Sequence, residues 1–299
     1  MLPKNSTIVP VKKVLKNEDW FHPDGFPISV ERREPQQAFD PHAHEFAEVV
    51  IVTGGKCLHV SGQDSWELTA GDVFVILGQR VHEYRDVEDL KLVNILYQPG
   101  QVEMQLHDLT SVAGYHALFT LEPSQNPRAK TKRRMRLNGK EMALVLELVE
   151  RLEGELEVRD PGFGFMATAT FMQIIGFLSR AYGRNPSSDG KALLRIGEAL
   201  SHLERNIHHD VDVDELARIA HMSRRSFLRV FQSATGTSPL AWVIGRRIAR
   251  ACSMLRQTDK QVTEIAFEVG YNDSNYFTRQ FRKNTGVSPR KYRMRQRGE

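Results

Sequence analysis

The apolar residues of this chain follow two different periods. Between residues 44 and 97, short apolar runs recur at a spacing of roughly ten residues, which is typical of a β-barrel or sandwich. The runs lie at residues 49–52, 57–60, 66–68, 73–77 and 92–97, and an alternating segment lies at 28–32. Gly54 and Gly55 predict a turn directly after the first run. The N-terminal part is therefore predicted to be all-β.

From residue 139 onward the apolar spacing becomes helical. Residues 139–181 predict two helices, and the first carries Val145, Leu148, Val149 and Leu152 at intervals of three and four residues. Such a stripe allows coiled-coil pairing, so these four residues are the predicted dimerisation surface. The alternative is that the stripe packs against the barrel, and both can hold. The sequence RNPSSDG at 184–190 predicts a flexible linker.

One pattern is written twice in the last third of the chain. Phe231 aligns with Phe281 and Gly236 with Gly286, both 50 positions apart, whereas upstream pairs lie 49 apart. The second copy therefore has one extra residue in its turn. An internal repeat of this length indicates one structural unit used twice.

Each copy predicts a helix, a tight turn and a second helix. Asp212 and Glu215 form a capping box before the first helix, Ser223 can cap the next, and Asn272 or Asp273 can do so in the second copy. Two helices with a short turn, the second with long polar side chains outward, form the layout for reading a major groove. Ordinary helical hairpins are the alternative, but two copies in register on a basic segment argue against it.

Charge divides the chain near residue 190. Residues 191–299 hold 20 Lys and Arg against 11 Asp and Glu, whereas residues 1–190 hold 21 against 26. A basic C-terminal third beside an acidic remainder indicates that one part binds a polyanion. The sequence has no signal peptide, no apolar run of about 18 residues and no disulfide framework, so a cytoplasmic protein without membrane contact is expected. No nucleophile triad, phosphate loop or dinucleotide fingerprint is present, so we expect no enzyme.

The second copy carries the most specific motif. Its residues are Glu264-Ile265-Ala266, Val269-Gly270-Tyr271, Asp273-Ser274-Asn275-Tyr276-Phe277, Arg279, Phe281-Arg282-Lys283, Gly286, Ser288-Pro289 and Tyr292-Arg293. This pattern resembles the DNA-binding domain of AraC/XylS-type transcription regulators. The resemblance implies seven helices, with Pro239–Gln257 as a long bridge between the two units. It also implies a homodimer that binds double-stranded promoter or operator DNA and acts with RNA polymerase.

The residues expected at DNA lie on the second helix of each copy. Arginine suits guanine, asparagine suits adenine, and a carboxylate can accept from cytosine. The predicted DNA-binding residues are Arg225, Leu228, Arg229, Asp273, Ser274, Asn275 and Arg279.

A second resemblance concerns histidines of the β region. His42, His44 and Glu48, with His82 eleven residues after Gly71, are spaced as in the two cupin motifs, whose metal-binding members carry three His and one Glu. The second motif is degenerate, because Leu77, Gln79 and Asp86 stand where Pro, Gly and Asn are expected. The sensory domains of AraC-type regulators use the cupin fold, usually without catalysis. We therefore expect no cofactor, with a divalent metal on His42, His44, Glu48 and His82 as the alternative.

The run from His42 to residue 52, with residues 92–97, most resembles the rhamnose-responsive subgroup of the family. That resemblance implies a small-molecule effector, a sugar. Sugar pockets combine polar side chains with an aromatic platform. The predicted lining residues are His42, His44, Glu48, Trp66, His82 and Tyr84.

These observations predict an α+β chain with four parts. They are a cupin-like effector domain at 1–122, a linker with a helical dimerisation hairpin at 123–183, an interdomain linker at 184–190 and a double helix-turn-helix domain at 191–299. The predicted function is a sequence-specific transcription regulator, an activator controlled by its effector. The alternatives are a metal-dependent cupin enzyme or a metal sensor, each fused to a DNA-binding domain.

Overall fold

The computed structural model describes residues 13–62, 64–102, 108–121, 135–184 and 188–297. The chain divides into two compact units, Met1–Gly197 and Glu198–Glu299. The first combines a sheet with helices and the second is helical, so the predicted α+β class is confirmed. None of the helices in these ranges combines the length and the apolar character needed to cross a bilayer.

Two long antiparallel strands form the centre of the N-terminal unit. Its strands are β1 Lys13–Leu15, β2 Ile28–Arg33, β3 Phe39–His44, β4 Ala47–Ser61, β5 Asp64–Thr69, β6 Asp72–Ile76, β7 His82–Tyr97 and β8 Met135–Arg136. Strands β4 and β7 pair from Ala47 opposite Tyr97 to Ser61 opposite His82. The sheet order is β1-β3-β7-β4-β6-β8, with β2 added on β7 and β5 on β4. This is the predicted cupin-like barrel.

The predicted turn at Gly54 and Gly55 is wrong. Strand β4 continues through both glycines, and its register with β7 shifts there. Gly55 has φ +66°, and a Cβ atom would lie 2.0 Å from the carbonyl oxygen of Asp89. Glycine in an apolar strand can form a bulge or allow two backbones to approach closely, and it can equally form a turn. Here they let β4 bend while remaining paired.

The interior of the barrel is apolar at one end and polar at the other. Val50, Val52, Phe74 and Leu92 belong to one buried cluster. Because side chains alternate along a strand, Glu48 lies on the same face of β4 as Val50. The polar end of the barrel therefore begins where this apolar cluster stops.

The helical hairpin has the predicted position. The hairpin consists of α3 Gly139–Val158 and α4 Phe163–Arg184. Four short elements precede it in the chain: α1 Asn17–Trp20, a 3₁₀ turn Leu109–Ser111, α2 Ala113–Tyr115 and a π-helical turn His116–Leu121. An Asn138–Glu141 capping box begins α3. The predicted linker residues 123–134 lie outside the described part of the chain.

The dimerisation stripe assigned to α3 needs correction. Val145, Val149 and Leu152 are fully buried inside the unit, and only Leu148 of the four is partly exposed. The spacing was read correctly as a helical stripe, but the stripe packs within the fold. The exposed large apolar residues of α3 are instead Leu144, at 52% exposure, and Val158, at 68%.

The predicted interdomain linker 184–190 is helical at both of its ends, and residues 185–187 lie outside the described part of the chain. Helix α4 ends at Arg184, and α5 Ser188–Arg205 begins inside the segment 184–190. Serine and aspartate are frequent in the first turn of a helix, so this composition suits a helix start as well as a linker. The boundary between the two units falls within α5.

Seven helices span the described C-terminal segment from residue 188 to 297. After α5 they are α6 Val213–Ile219, α7 Arg224–Thr235, α8 Pro239–Gln257, α9 Val262–Glu268, α10 Ser274–Thr285 and α11 Pro289–Arg297. The pairs α6/α7 and α9/α10 have equal lengths of 7 and 12 residues. The turn between α9 and α10 is one residue longer than that between α6 and α7, as predicted.

Candidate ligand pocket and nucleic-acid interface

A cavity of about 380 Å³ opens at the polar end of the barrel. Four of the six predicted lining residues, His42, His44, Glu48 and Tyr84, line it. Trp66 and His82 do not line it: Trp66 packs against His59 with ring centroids 4.5 Å apart, and His82 Nε2 lies 3.8 Å from Glu48 Oε2. The other lining residues are Lys13, Leu15, Trp20, Arg33, Pro35, Gln36, Gln37, Phe39, Phe46, Asn94 and Leu96.

The aromatic wall of this cavity comes from residues that sequence reasoning missed. Trp20 and Phe39 line it, and the guanidinium of Arg33 lies 5.3 Å from the centroid of the Trp20 ring. Arg33 also pairs with Glu31 at 3.0 Å. Both aromatic residues lie in the first 40 residues, where we predicted no pocket residue. Asn94 offered a signal, because it is a polar residue inside the apolar run 92–97.

Several buried polar atoms in the barrel have no hydrogen-bond partner among the described residues. They are His44 Nε2, His82 Nε2, the Tyr84 hydroxyl, Asn94 Oδ1 and Trp66 Nε1. A buried polar atom left unpaired costs about 1–3 kcal/mol. Native structures satisfy nearly all such atoms, so a cluster of them indicates that another group completes the site.

Three histidines of the barrel, His42, His44 and His82, share one orientation. Nδ1 of His42 lies 2.9 Å from the Asp40 carbonyl oxygen, and Nδ1 of His44 lies 2.6 Å from that of Phe46. Nδ1 of His82 lies 3.2 Å from the Arg80 carbonyl oxygen. A carbonyl oxygen accepts only, so each Nδ1 carries the hydrogen and each Nε2 carries a free lone pair.

Burial favours the neutral form of two of these imidazoles, those of His42 and His82. Loss of solvent holds the pKa of His82 well below its ordinary value, and the neighbouring His42, His59 and His44 lower it further. Burial also lowers the pKa of His42. Desolvation raises the pKa of the Tyr84 hydroxyl well above its usual range, and the Glu48 carboxylate adds to this. The barrel therefore places the neutral imidazoles of His42 and His82 and the neutral Tyr84 phenol beside Glu48, and Lys13 and Arg33 add positive charge to the pocket lining.

The second helix of each repeat presents a basic, exposed face. Phe227 and Phe231 fix α7 in the core, and Phe277 and Phe281 fix α10. The predicted contact residues Arg225, Arg229, Asn275 and Arg279 are exposed, and Leu228 and Ser274 are partly exposed. Within the described residues, no hydrogen bond or ion pair engages the side chains of Arg225 and Arg229, whereas the Arg279 guanidinium lies 5.8 Å from the Tyr276 ring centroid.

Asp273 has a structural task that changes its assignment. Its Oδ1 accepts hydrogen bonds from the backbone amides of Asn275 at 2.6 Å and Tyr276 at 3.0 Å, and these bonds lower its pKa. It is the N-cap of α10. A carboxylate held in this way anchors the start of the helix, so we expect capping rather than the predicted base contact to be its main role.

Two family models match the chain. A helix-turn-helix domain matches residues 216–295, and an AraC-like ligand binding domain matches residues 28–159. The HTH-type transcriptional activator RhaR of Yersinia pseudotuberculosis is 30% identical over 287 residues, covering 94% of each chain. The protein of the same name from Mannheimia succiniciproducens is 28% identical over 281 residues, covering 94% of this chain and 96% of the other.

The chain belongs to the AraC/XylS family. It is a DNA-binding transcription regulator with an effector-binding domain, and the predicted family is confirmed. Among solved structures, the DNA-binding domain of AdpA in complex with a target DNA is 36% identical. That match covers 35% of this chain and 94% of the other, with a TM-score of 0.33. In this AraC/XylS regulator most of the pocket lies within the matched ligand-binding domain, whereas Lys13, Leu15 and Trp20 precede it. Helices α7 and α10 lie within the matched helix-turn-helix domain.

Proposed function

We propose that this regulator activates transcription when a sugar binds in the barrel cavity. The relatives that match nearly its whole length are named as transcriptional activators. The observation that carries the sugar assignment is the cavity itself, with aromatic walls and buried polar atoms that lack partners. A sugar has apolar ring faces that stack on aromatic side chains, and hydroxyls that both donate and accept hydrogen bonds.

The pocket matches a sugar in size and in polarity. A volume of about 380 Å³ falls within the range of about 300–1,000 Å³ for small-molecule pockets. Trp20 and Phe39 supply apolar surface, and Tyr84, Asn94 and Glu48 supply polar groups along one side. A ligand hydroxyl that pairs with the Tyr84 hydroxyl or Asn94 Oδ1 removes the cost of leaving that atom unpaired.

On the DNA, the proposal assigns base contacts to α7 and α10. Arg225 and Arg229 suit guanine O6 and N7, and Asn275 suits adenine. Leu228 can contact a thymine methyl group, and Arg279 occupies in α10 the position of Arg229 in α7. Ser274, at the first turn of α10, suits a phosphate or a base edge.

The proposal includes two protein partners. A second copy of the chain would pair through the outer face of α3 and α4, where a groove is lined by Arg151, Val158, Met166 and Gln173 and exposes Val158 at 68%. Leu144 and Leu148 continue this face along α3. RNA polymerase is the partner expected of an activator, which places the site of action in the cytoplasm.

The test measures sugar binding directly and in transcription. Full-length protein is titrated with a panel of monosaccharides by calorimetry, and a promoter fusion reports activation by the same sugars. Tyr84→Phe removes one hydroxyl of the pocket and should lower the affinity about 2- to 13-fold, since one hydrogen bond contributes about 0.5–1.5 kcal/mol.

Tyr97→Phe is the matched control. Tyr97 lies on the same strand β7, but its ring packs against Phe171 of α4. This variant should bind sugar like the wild type. If no sugar in the panel binds the full-length protein, the sugar assignment is wrong. If Tyr84→Phe and Tyr97→Phe bind equally well, the pocket is misplaced.

A further inference from the structure

Three ligand-type atoms converge in the barrel. His44 Nε2 lies 3.5 Å from Glu48 Oε2, and His82 Nε2 lies 3.8 Å from the same oxygen. All three atoms lie within 4.8 Å of one another, and all three residues are buried. These distances are too long for hydrogen bonds between the three side chains. The side chains surround a point without bonding to one another.

The gaps between these atoms have the size that a metal ion requires. Nitrogen and oxygen ligands lie about 2.0–2.2 Å from a divalent zinc ion, which sets tetrahedral neighbours about 3.4 Å apart. The distances from Glu48 Oε2 are close to this value. Two imidazoles and one carboxylate form a recognised donor set for divalent transition metals, with coordination positions left open.

The orientation of the imidazoles supports the same conclusion. The Nδ1 atoms of His44 and His82 face backbone carbonyl oxygens of Phe46 and Arg80, and both Nε2 atoms have no partner among the described residues. Metal-binding histidines hold their second ring nitrogen on a carbonyl or carboxylate in this way, which fixes the tautomer and aims the lone pair. Neutral imidazoles are also the form that binds metal.

A hydrogen-bonded cluster without an ion explains these observations less well. A protonated imidazole beside Glu48 would be drawn to hydrogen-bond distance, about 2.7–2.9 Å from the carboxylate oxygen. The observed separations are 3.5 and 3.8 Å.

We propose that the barrel holds a divalent transition-metal ion on His44, Glu48 and His82, and that hydroxyl oxygens of the effector complete its coordination. The first part rests on the donor geometry, and the second also rests on the proposed sugar-binding function. His42 lies outside the group of three, but its ring centroid is 4.1 Å from that of His82, so it is a neighbouring candidate for a fourth ligand. A bound ion would act as a Lewis acid toward effector oxygens and would fix their orientation. Glu48 lines the cavity, which places the ion at its inner wall.

The first experiment measures metal binding without any sugar. Full-length protein is stripped with a chelator and titrated with Co²⁺, whose visible absorption reports nitrogen and oxygen coordination. We expect one ion per chain. Glu48→Gln and His44→Ala should each weaken binding by more than about 100-fold, because loss of a direct ligand exceeds the roughly 10- to 100-fold effect of an outer partner.

Two controls keep this result interpretable. Glu48→Gln preserves the shape of the side chain, so its metal-free form should melt close to the metal-free wild type even if His44→Ala is unstable. His209→Ala removes an exposed histidine of the C-terminal unit and should leave Co²⁺ binding unchanged. If wild type and Glu48→Gln bind Co²⁺ with equal affinity and equal spectra, the metal site is refuted.

The second experiment separates the metal from the sugar. Sugar titrations are repeated on the metal-free and the metal-loaded protein, and we expect at least a tenfold tighter affinity in the loaded form. Equal sugar affinity in both forms would overturn the role of the metal in effector binding and would leave the sugar proposal intact. Metal binding with no sugar binding in either form would support the ion site and would refute the sugar proposal.

Discussion

Replacing Arg229 by alanine tests whether α7 reads bases. Arg229 lies on the exposed face of α7, away from Phe227 and Phe231, which are fully buried. Arginine and alanine both favour helices, and within the described residues no hydrogen bond or ion pair holds the Arg229 side chain. The free energy of unfolding should therefore change by less than about 0.5 kcal/mol. Any loss of DNA affinity then reports a contact with DNA.

The size and the sequence dependence of that loss distinguish two kinds of contact. A bidentate pair between a guanidinium and guanine contributes about 1–3 kcal/mol of discrimination, which is about 5- to 150-fold in Kd. A guanidinium on a phosphate weakens all sequences alike and lowers the slope of log K against log salt by about 0.9. We expect Arg229→Ala to show the first pattern, with a loss on the operator and a relaxed preference at one or two base pairs.

The assay is fluorescence anisotropy with the operator, its single-base-pair variants and a random duplex, each at three salt concentrations. Arg224→Ala is the matched control, because this neighbouring arginine pairs with Asp214 within the chain. It should keep the wild-type base preference. An equal loss of affinity on operator and random DNA by Arg229→Ala would identify a phosphate contact and refute the base-reading assignment.

Three further predictions concern the fold and the dimer. Gly245 lies inside α8 with open space around its missing side chain, so Gly245→Ala should raise the free energy of unfolding by about 0.5–1 kcal/mol in urea titrations, whereas Gly236→Ala, at φ +76°, should lower it. Asp273→Ala should lower the melting temperature and Asp273→Asn should not, with base preference unchanged in both; a changed preference would support the predicted base contact of Asp273. Leu144→Glu and Leu148→Glu should each convert the dimer to a monomer, as measured by sedimentation at micromolar concentration. If both variants remain dimeric, the dimer contact lies elsewhere on the chain.

The C-terminal domain was predictable because its signals are local. Helix α8 has the predicted bounds Pro239–Gln257, and its N-cap Ser238 and first residue Pro239 are standard start signals. The repeat supplied an internal check, since Thr235 and Thr285 both donate to the carbonyl oxygen four residues earlier. Caps and turns of this kind depend on a few neighbouring residues and are visible without the tertiary structure.

The pocket was only partly predictable because it is assembled from distant segments. Trp20 and Phe39 reach the cavity through the path of the first strands, and no spacing in the sequence encodes that path. Helix α3 shows a second limit of prediction from sequence, because its stripe of Val145, Val149 and Leu152 is buried within its own unit. Helical spacing identifies an apolar face but does not say whether it meets the same chain or another copy.

The degenerate second cupin motif shows why residue types are weaker evidence than backbone positions. Gln79 replaces the expected glycine, yet it adopts the left-handed φ of 66°. Its backbone N–H donates a hydrogen bond to the His44 carbonyl oxygen at 2.8 Å. Asp86, in place of asparagine, has φ 48°. A left-handed non-glycine residue costs about 1–2 kcal/mol, so both residues hold backbone conformations that glycine or asparagine adopts more readily. The substitutions therefore change the sequence match without displacing His82, whose Nε2 still faces Glu48. Degeneracy of the motif argues against close kinship with metal-binding cupins and leaves the donor geometry of this barrel untouched.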